Sequence, residues 1–138
     1  MRLLEQNRAI LEARVGARIE VASVLVRDAN KERVPECKPE WLTTDPEVVF
    51  GDDRIDLVVE VMGGEEPART LIDRAVRSGK GVVTANKLLI AKHGHELLAT
   101  AVQSRVDLAF EASVGGGIPV VGTLREALAS DKVDSVHA

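Results

Sequence analysis

Lys87 follows Asn86 in the run Thr84-Ala85-Asn86-Lys87, and Glu111 stands shortly before three consecutive glycines, Gly115, Gly116 and Gly117. These residues have the types and spacing that chemistry needs. Asn86 suits a helix N-cap, which places Lys87 in the first helical turn. There the helix macrodipole opposes a cation by ~0.3–1 kcal/mol. Two readings follow: a surface lysine that tolerates the cost, or a lysine aimed into a cleft, suited to hydrogen bonding or proton transfer at a substrate oxygen. Three glycines in a row cost extra backbone entropy to order, so the run suggests strained dihedrals or a backbone in contact with a ligand. Glu111 adds a charge beside it. Gly63 and Gly64 fall where an apolar strand meets the next helix, the place where open α/β sheets bind ligands. As plain turn residues they need no ligand.

Other reactive types fit their spacing less well. His93 and His95 are two apart on a helix and face different sides, whereas a zinc pair wants i, i+4; both read as surface histidines. Cys37 is the only cysteine, so neither an internal disulfide nor a cysteine zinc cluster is available. Arg27 ends a β-branched run. In dinucleotide-binding folds an arginine there accommodates the 2′-phosphate of NADP, whereas an acidic residue favours NAD; Asp28 is its neighbour, and a solvated strand-end arginine is the other reading. Lys38 reads as a surface lysine.

These residues need elements to hold them. Arg2–Val15 has helical periodicity, with Leu3, Leu4, Ile10, Leu11 and Val15 on one face and Gly16 as the stop. Ile19–Val26 is β-branched and reads as a strand. Residues 29–46 read as a loop anchored by Trp41, with Asp45 and Pro46 opening a short helix that ends near Gly51. Ile55–Val61 is nearly continuous in apolar residues, as expected of a parallel strand buried on both faces. A helix follows from Glu65-Glu66-Pro67 to Ser78-Gly79-Lys80, with Ala68, Leu71, Ile72, Ala75 and Val76 inward. Gly81–Thr84 is a strand. The helix capped by Asn86 runs to about Arg105, with Leu89, Ile90, Leu97, Leu98, Ala101 and Val102 inward, and Gly94 weakens its middle by ~1 kcal/mol. Val106–Ala112 is a strand. Pro119 opens a helix with Val120, Val121, Leu124, Ala127 and Leu128 inward, and Lys132–Ala138 begins another strand. The alternation predicts an α/β fold, a Rossmann-like doubly wound parallel sheet.

The bulk numbers narrow the partners. With 138 residues, 45% of them hydrophobic and 29% charged, the chain is one soluble globular domain or part of one. Aromatic residues make up 2%, so the core must rest on Val, Leu, Ile and Ala. A net charge of −4 argues against nucleic acid or an anionic membrane as partner. No apolar run approaches the ~20 residues that span a bilayer. Met1-Arg2-Leu3-Leu4-Glu5-Gln6-Asn7 is no secretory signal, and the expected compartment is the cytoplasm.

Three motifs go further: Val58-Val59-Glu60-Val61-Met62-Gly63-Gly64, Val82-Val83-Thr84-Ala85-Asn86-Lys87, and Phe110-Glu111-Ala112-Ser113-Val114-Gly115-Gly116-Gly117-Ile118-Pro119. In this order and spacing they resemble the nucleotide-binding domain of homoserine dehydrogenase, over essentially the whole chain, residues 1–138. The resemblance implies NADP(H)- or NAD(H)-dependent reduction of L-aspartate 4-semialdehyde to L-homoserine, on the route to threonine, methionine and isoleucine. It implies that Lys87 is the catalytic lysine, near the nicotinamide and the substrate oxygen. It places the cofactor along Arg27, Gly63, Gly64, Thr84, Asn86 and Lys87. It also implies a monovalent cation, sodium by analogy, held by the Glu111 carboxylate and the backbone carbonyls of Val114, Gly116 and Ile118. An oxygen-only cage suits a hard cation.

The family pattern also contains a first strand with a G-x-G-x-x-G turn and a C-terminal catalytic region, which the resemblance makes the site of the substrate carboxylates, a second catalytic lysine and most of a homo-oligomer interface. Neither is found in these residues, so the expectation is a fragment that alone binds NADP(H) poorly and has no dehydrogenase activity. The alternatives are a non-catalytic Rossmann-like ligand-sensing or scaffold module and another NAD(P)-dependent dehydrogenase of similar fold.

Overall fold

The computed structural model describes residues 1–135 and divides into two compact units, residues 1–55 and 56 onward. In the first unit the expected N-terminal helix forms as two, α1 (Arg2–Gln6) and α2 (Arg8–Val15). The break has a local cause. The Asn7 backbone N–H makes the ordinary i→i−4 bond to the Leu3 carbonyl at 3.0 Å, but its side-chain amide donates to the same carbonyl at 3.1 Å, and such side-chain bonding competes with the helix ladder. Gly16 ends α2 at φ 74°, in the left-handed region open to glycine.

Strand β1 is only Val24–Leu25, shorter than the Ile19–Val26 expectation. Its partner β2 (Leu42–Thr43) lies inside the segment read as loop, and the pair is parallel, Val24 opposite Leu42 and Leu25 opposite Thr43. A two-residue partner limits the ladder. Trp41 ends a 3₁₀ turn, Pro39–Trp41, before β2, and Lys38 sits over its ring at 5.0 Å, a cation–π contact. Asp45 Oδ1 accepts the Glu47 N–H at 2.9 Å, opening α3 (Glu47–Phe50), which ends at Gly51 as expected.

The second unit runs β3 (Leu57–Glu60), α4 (Ala68–Arg77), β4 (Gly81–Thr84), α5 (Lys87–Ser104) and β5 (Leu108–Ala109). Its sheet is parallel throughout, in the order β3-β4-β5. Strands that advance in one direction carry their crossover helices on one face. α4 packs on β3 and β4, and α5 on α4 and β5. The core lies there: Val82 and Leu108 from the sheet, Ala68, Ile72, Ala75 and Val76 from α4, Leu89, Leu97 and Ala101 from α5. Each buried large aliphatic side chain contributes about 1.5–3 kcal/mol.

Period two decides what the other face does. Leu57, Val59 and Val61 point away from the helices and are 52%, 61% and 74% exposed. The double-sided burial expected of residues 55–61 is therefore absent; only the helix-facing parity is covered. Val102 likewise lies on the open side of α5, 77% exposed, because the buried stripe passes instead through Thr100 and Ala101. After Pro119 the chain forms a π-helical turn, Thr123–Ala127, with Leu124 and Ala127 exposed rather than inward. Lys132–Ser135 is not a strand, and Val136–Ala138 lie outside the described residues.

Candidate functional site

The glycine turns and Lys87 meet in one place. A cleft of about 620 Å³ is lined by Gly63, Gly64, Ala85, Asn86, Lys87, Leu88, Ala112, Ser113, Gly115 and Gly116. These residues follow the carboxyl ends of β3, β4 and β5, the edge where parallel sheets bind ligands. Gly63 and Gly64 have φ of 73° and 76° with open space around them. They are glycine for backbone conformation rather than packing, and that conformation leaves the turn bare toward the cleft. Gly115 and Gly116 are also left-handed, at 68° and 63°. A second hollow of about 390 Å³, bounded by His95, Leu98, Ala99, Val102 and Gln103, lies on the open side of α5, away from the strand ends.

A buried polar network holds the cleft. Glu60 is 4% exposed, Thr84 0% and Asn86 5%. Glu60 Oε1 accepts the backbone N–H of Met62 at 2.7 Å and of Gly63 at 3.1 Å. Its Oε2 accepts the Thr84 hydroxyl at 2.6 Å, while Thr84 Oγ1 accepts the Asn86 N–H at 3.0 Å. Asn86 is the N-cap of α5, taking the Leu89 N–H on Oδ1 at 3.1 Å and donating from Nδ2 to the Gly64 carbonyl at 2.7 Å. Ser113 Oγ donates to the Thr84 carbonyl at 2.9 Å, which ties the third strand end to the second. Lys87, first residue of α5, is exposed at the cleft.

Glu111 begins the 3₁₀ turn Glu111–Ser113. Its carboxylate accepts the N–H of Gly122 at 2.7 Å and of Val121 at 2.9 Å, and these amides, Gly122 first, hold its pKa below the ordinary carboxylate value. Ile118 O accepts the Val120 N–H at 2.9 Å. Among the described residues no group of three or more His, Cys, Asp or Glu gathers to hold a metal ion, so a cation here needs backbone carbonyls. Arg27, in the first unit, is exposed just past β1. His93 is not a free surface residue: its Nε2 lies 2.7 Å from Glu65 Oε1, and Lys92 Nζ donates to Oε2 of the same carboxylate at 2.6 Å.

The family-level description of the NAD-binding domain of homoserine dehydrogenase matches residues 1–111. The chain belongs to this family. Homoserine dehydrogenase of Corynebacterium glutamicum is 45% identical over 136 residues, 99% of this chain and 30% of that protein. The crystal structure of a homoserine dehydrogenase from Thiobacillus denitrificans superposes with a TM-score of 0.80 at 41% identity, covering 94% of this chain and 30% of that one. A hyperthermophilic archaeal homoserine dehydrogenase in complex with NADPH superposes at 0.55 and 31% identity over 62% of this chain and 27% of its own. The chain thus spans about 30% of the length of the curated relatives it matches. The α/β Rossmann-like class expected from the strand–helix alternation is the observed one.

Sequence reasoning passed over Glu60 and Ser113. The signal for Glu60 was present: a carboxylate at the inward parity of an apolar strand, two residues after Val58. Ser113 carried none, since a serine in a glycine-rich loop is ordinary.

Proposed function

We propose that this chain is the nucleotide-binding part of an NAD(P)H-dependent homoserine dehydrogenase, acting on L-aspartate 4-semialdehyde and L-homoserine in amino-acid biosynthesis. The observation that carries the reading is the convergence of Gly63 and Gly64, Asn86 and Lys87, and the loop residues Ala112, Ser113, Gly115 and Gly116 on one cleft, in a chain of this family. Gly63, Gly64 and Asn86 would hold the cofactor at the cleft, with the fully buried Thr84 supporting Asn86 from behind; Arg27 is the proposed partner of a 2′-phosphate, and the NADPH complex of the archaeal relative supports that preference. When bound, the reduced nicotinamide supplies a hydride to the aldehyde carbon. Lys87 carries the rest: an ammonium exposed in the cleft hydrogen-bonds the aldehyde oxygen and supplies the proton it needs as it becomes a hydroxyl.

The sodium reading belongs here too. Glu111, Val114, Gly116 and Ile118 offer an oxygen-only set suited to a hard cation, and left-handed Gly116 helps turn carbonyls to one side. The Glu111 and Ile118 oxygens already accept N–H groups, and each oxygen keeps a further lone pair for an ion. The cation would brace the loop rather than take part in hydride or proton transfer. No helix among the described residues is long and apolar enough to cross a membrane, and the enzyme is proposed to work in the cytoplasm as a homo-oligomer.

The test is Lys87→Ala in the full-length enzyme. Turnover should fall ~10²–10⁴-fold, the range of general acid–base assistance, while the dissociation constant for NADPH stays within a few-fold. Turnover unchanged by Lys87→Ala would overturn the role given to Lys87, and a full-length parent protein without any turnover would favour a non-catalytic ligand-sensing or scaffold module.

A further inference from the structure

We propose that Glu60 is a positioning residue of the cleft, acting through Thr84 and Asn86 on the turn at Gly63–Gly64 and on the helix start that carries Lys87. The proposal rests on the reading of Lys87 given above and goes beyond it, since neither that reading nor the family resemblance gives Glu60 a role.

Packing alone would not choose glutamate here. The side chain is at the helix-facing parity of β3, in line with Val58, and across the ladder it stands opposite Thr84, which is fully buried. Burying a carboxylate is costly unless its oxygens are satisfied. The hydrogen-bond partners of the Glu60 carboxylate are donors: two backbone amides on Oε1 and one hydroxyl on Oε2. Thr84 passes the relay on: its Oγ1 accepts the Asn86 N–H and its hydroxyl donates to Glu60 Oε2. One acceptor therefore terminates two hydrogen-bond paths. One path fixes the backbone of Met62 and Gly63, at the start of the left-handed turn. The other fixes the backbone of Asn86, whose side chain returns to the Gly64 carbonyl and caps α5. The two paths close a loop between neighbouring strand ends, and Lys87 follows the capped residue directly.

This arrangement gives a specific expectation. Glu60→Gln keeps the volume but replaces one oxygen with a donor. That donor must face either the Met62 and Gly63 amides or the Thr84 hydroxyl. The turn and the start of α5 then shift relative to each other, and Lys87 shifts with them. A positioning error of about 1 Å costs on the order of 10²-fold in rate.

The experiment uses the full-length enzyme. Glu60→Gln and Thr84→Val should each lower kcat at least tenfold. The double variant should be no worse than the poorer single one, because both interrupt one relay. In a Lys87→Ala background, followed by single-turnover kinetics, Glu60→Gln should change the rate less than twofold. If Glu60→Gln lowers the rate by the same factor with and without Lys87, its role is general structure and the proposal fails. If Lys87→Ala alone leaves kcat intact, it is the functional reading that fails. If Lys87→Ala lowers kcat and Glu60→Gln does not, only this proposal fails. Should Glu60→Gln not fold, Thr84→Val in both backgrounds decides alone, since it leaves Glu60 its two amide donors.

Discussion

Glu65 accepts hydrogen bonds from Lys92 and His93, and these two, Lys92 first, lower its pKa from 4.5 to about 2. The folded value lies below the unfolded one, so the contribution is present above pH 4.5 and is lost as pH falls from there to about 2. A carbon-13 carboxyl titration by NMR should place the Glu65 midpoint near 2, and Lys92→Met should raise it toward 4.5. Glu111 has the same sign. Its amide partners favour the ionised carboxylate, so acid should release the Val121 and Gly122 amides, seen as faster hydrogen exchange at those two positions. At the Gly63–Gly64 turn, Gly63→Ala forces a Cβ into the left-handed region at a cost of about 1–2 kcal/mol, and urea unfolding should report that loss. Lys87 and the glycines were legible in the sequence because a cation at a helix start and repeated glycines both break local rules. The ion pairs of Glu65 were not, because Glu65 and His93 are 28 residues apart and only the packing of α5 beside α4 brings them together.

Among the elements, α5 depends most on its first residue pair. Asn86→Ala removes a side-chain cap worth ~0.5–2 kcal/mol and also frees the Gly64 carbonyl. Asn86→Ser keeps a cap acceptor and loses the donor to Gly64 without adding a charge. Equilibrium denaturation should therefore rank parent above Asn86→Ser above Asn86→Ala, with the Ala variant down by at least about 1 kcal/mol. Strand β4 and the span of α5 were legible to within a residue or two, since both have firm punctuation: Gly81 at one end, Asn86 at the cap. The N-terminal helix and the β1 segment were less so. Asn7 turns its side-chain amide to the Leu3 carbonyl, and β-branched residues from Ile19 signal a strand without stating how much partner it finds.

Over the whole molecule, burial is uneven. Among the described residues, the buried apolar side chains of the first unit are Val49 and Phe50, and the others lie in the second. Local opening costs least where few apolar contacts must be broken. Hydrogen exchange should find the amides of α4 and β4 slowest and those of α1 and α2 close to solvent rates. Equal protection across both units would contradict this distribution. Neither this division nor the open face of Leu57, Val59 and Val61 was legible, because a run of valines reads the same whether one face or both are covered. The cleft, by contrast, gathers at a single edge of the sheet. The turn at Ser78–Gly79, exposed and leading into the amino end of β4, belongs to the opposite edge. That polarity gives the domain a natural attachment point: a fluorophore or a short peptide insert placed between Ser78 and Gly79 would report on the protein while leaving the ligand edge unencumbered.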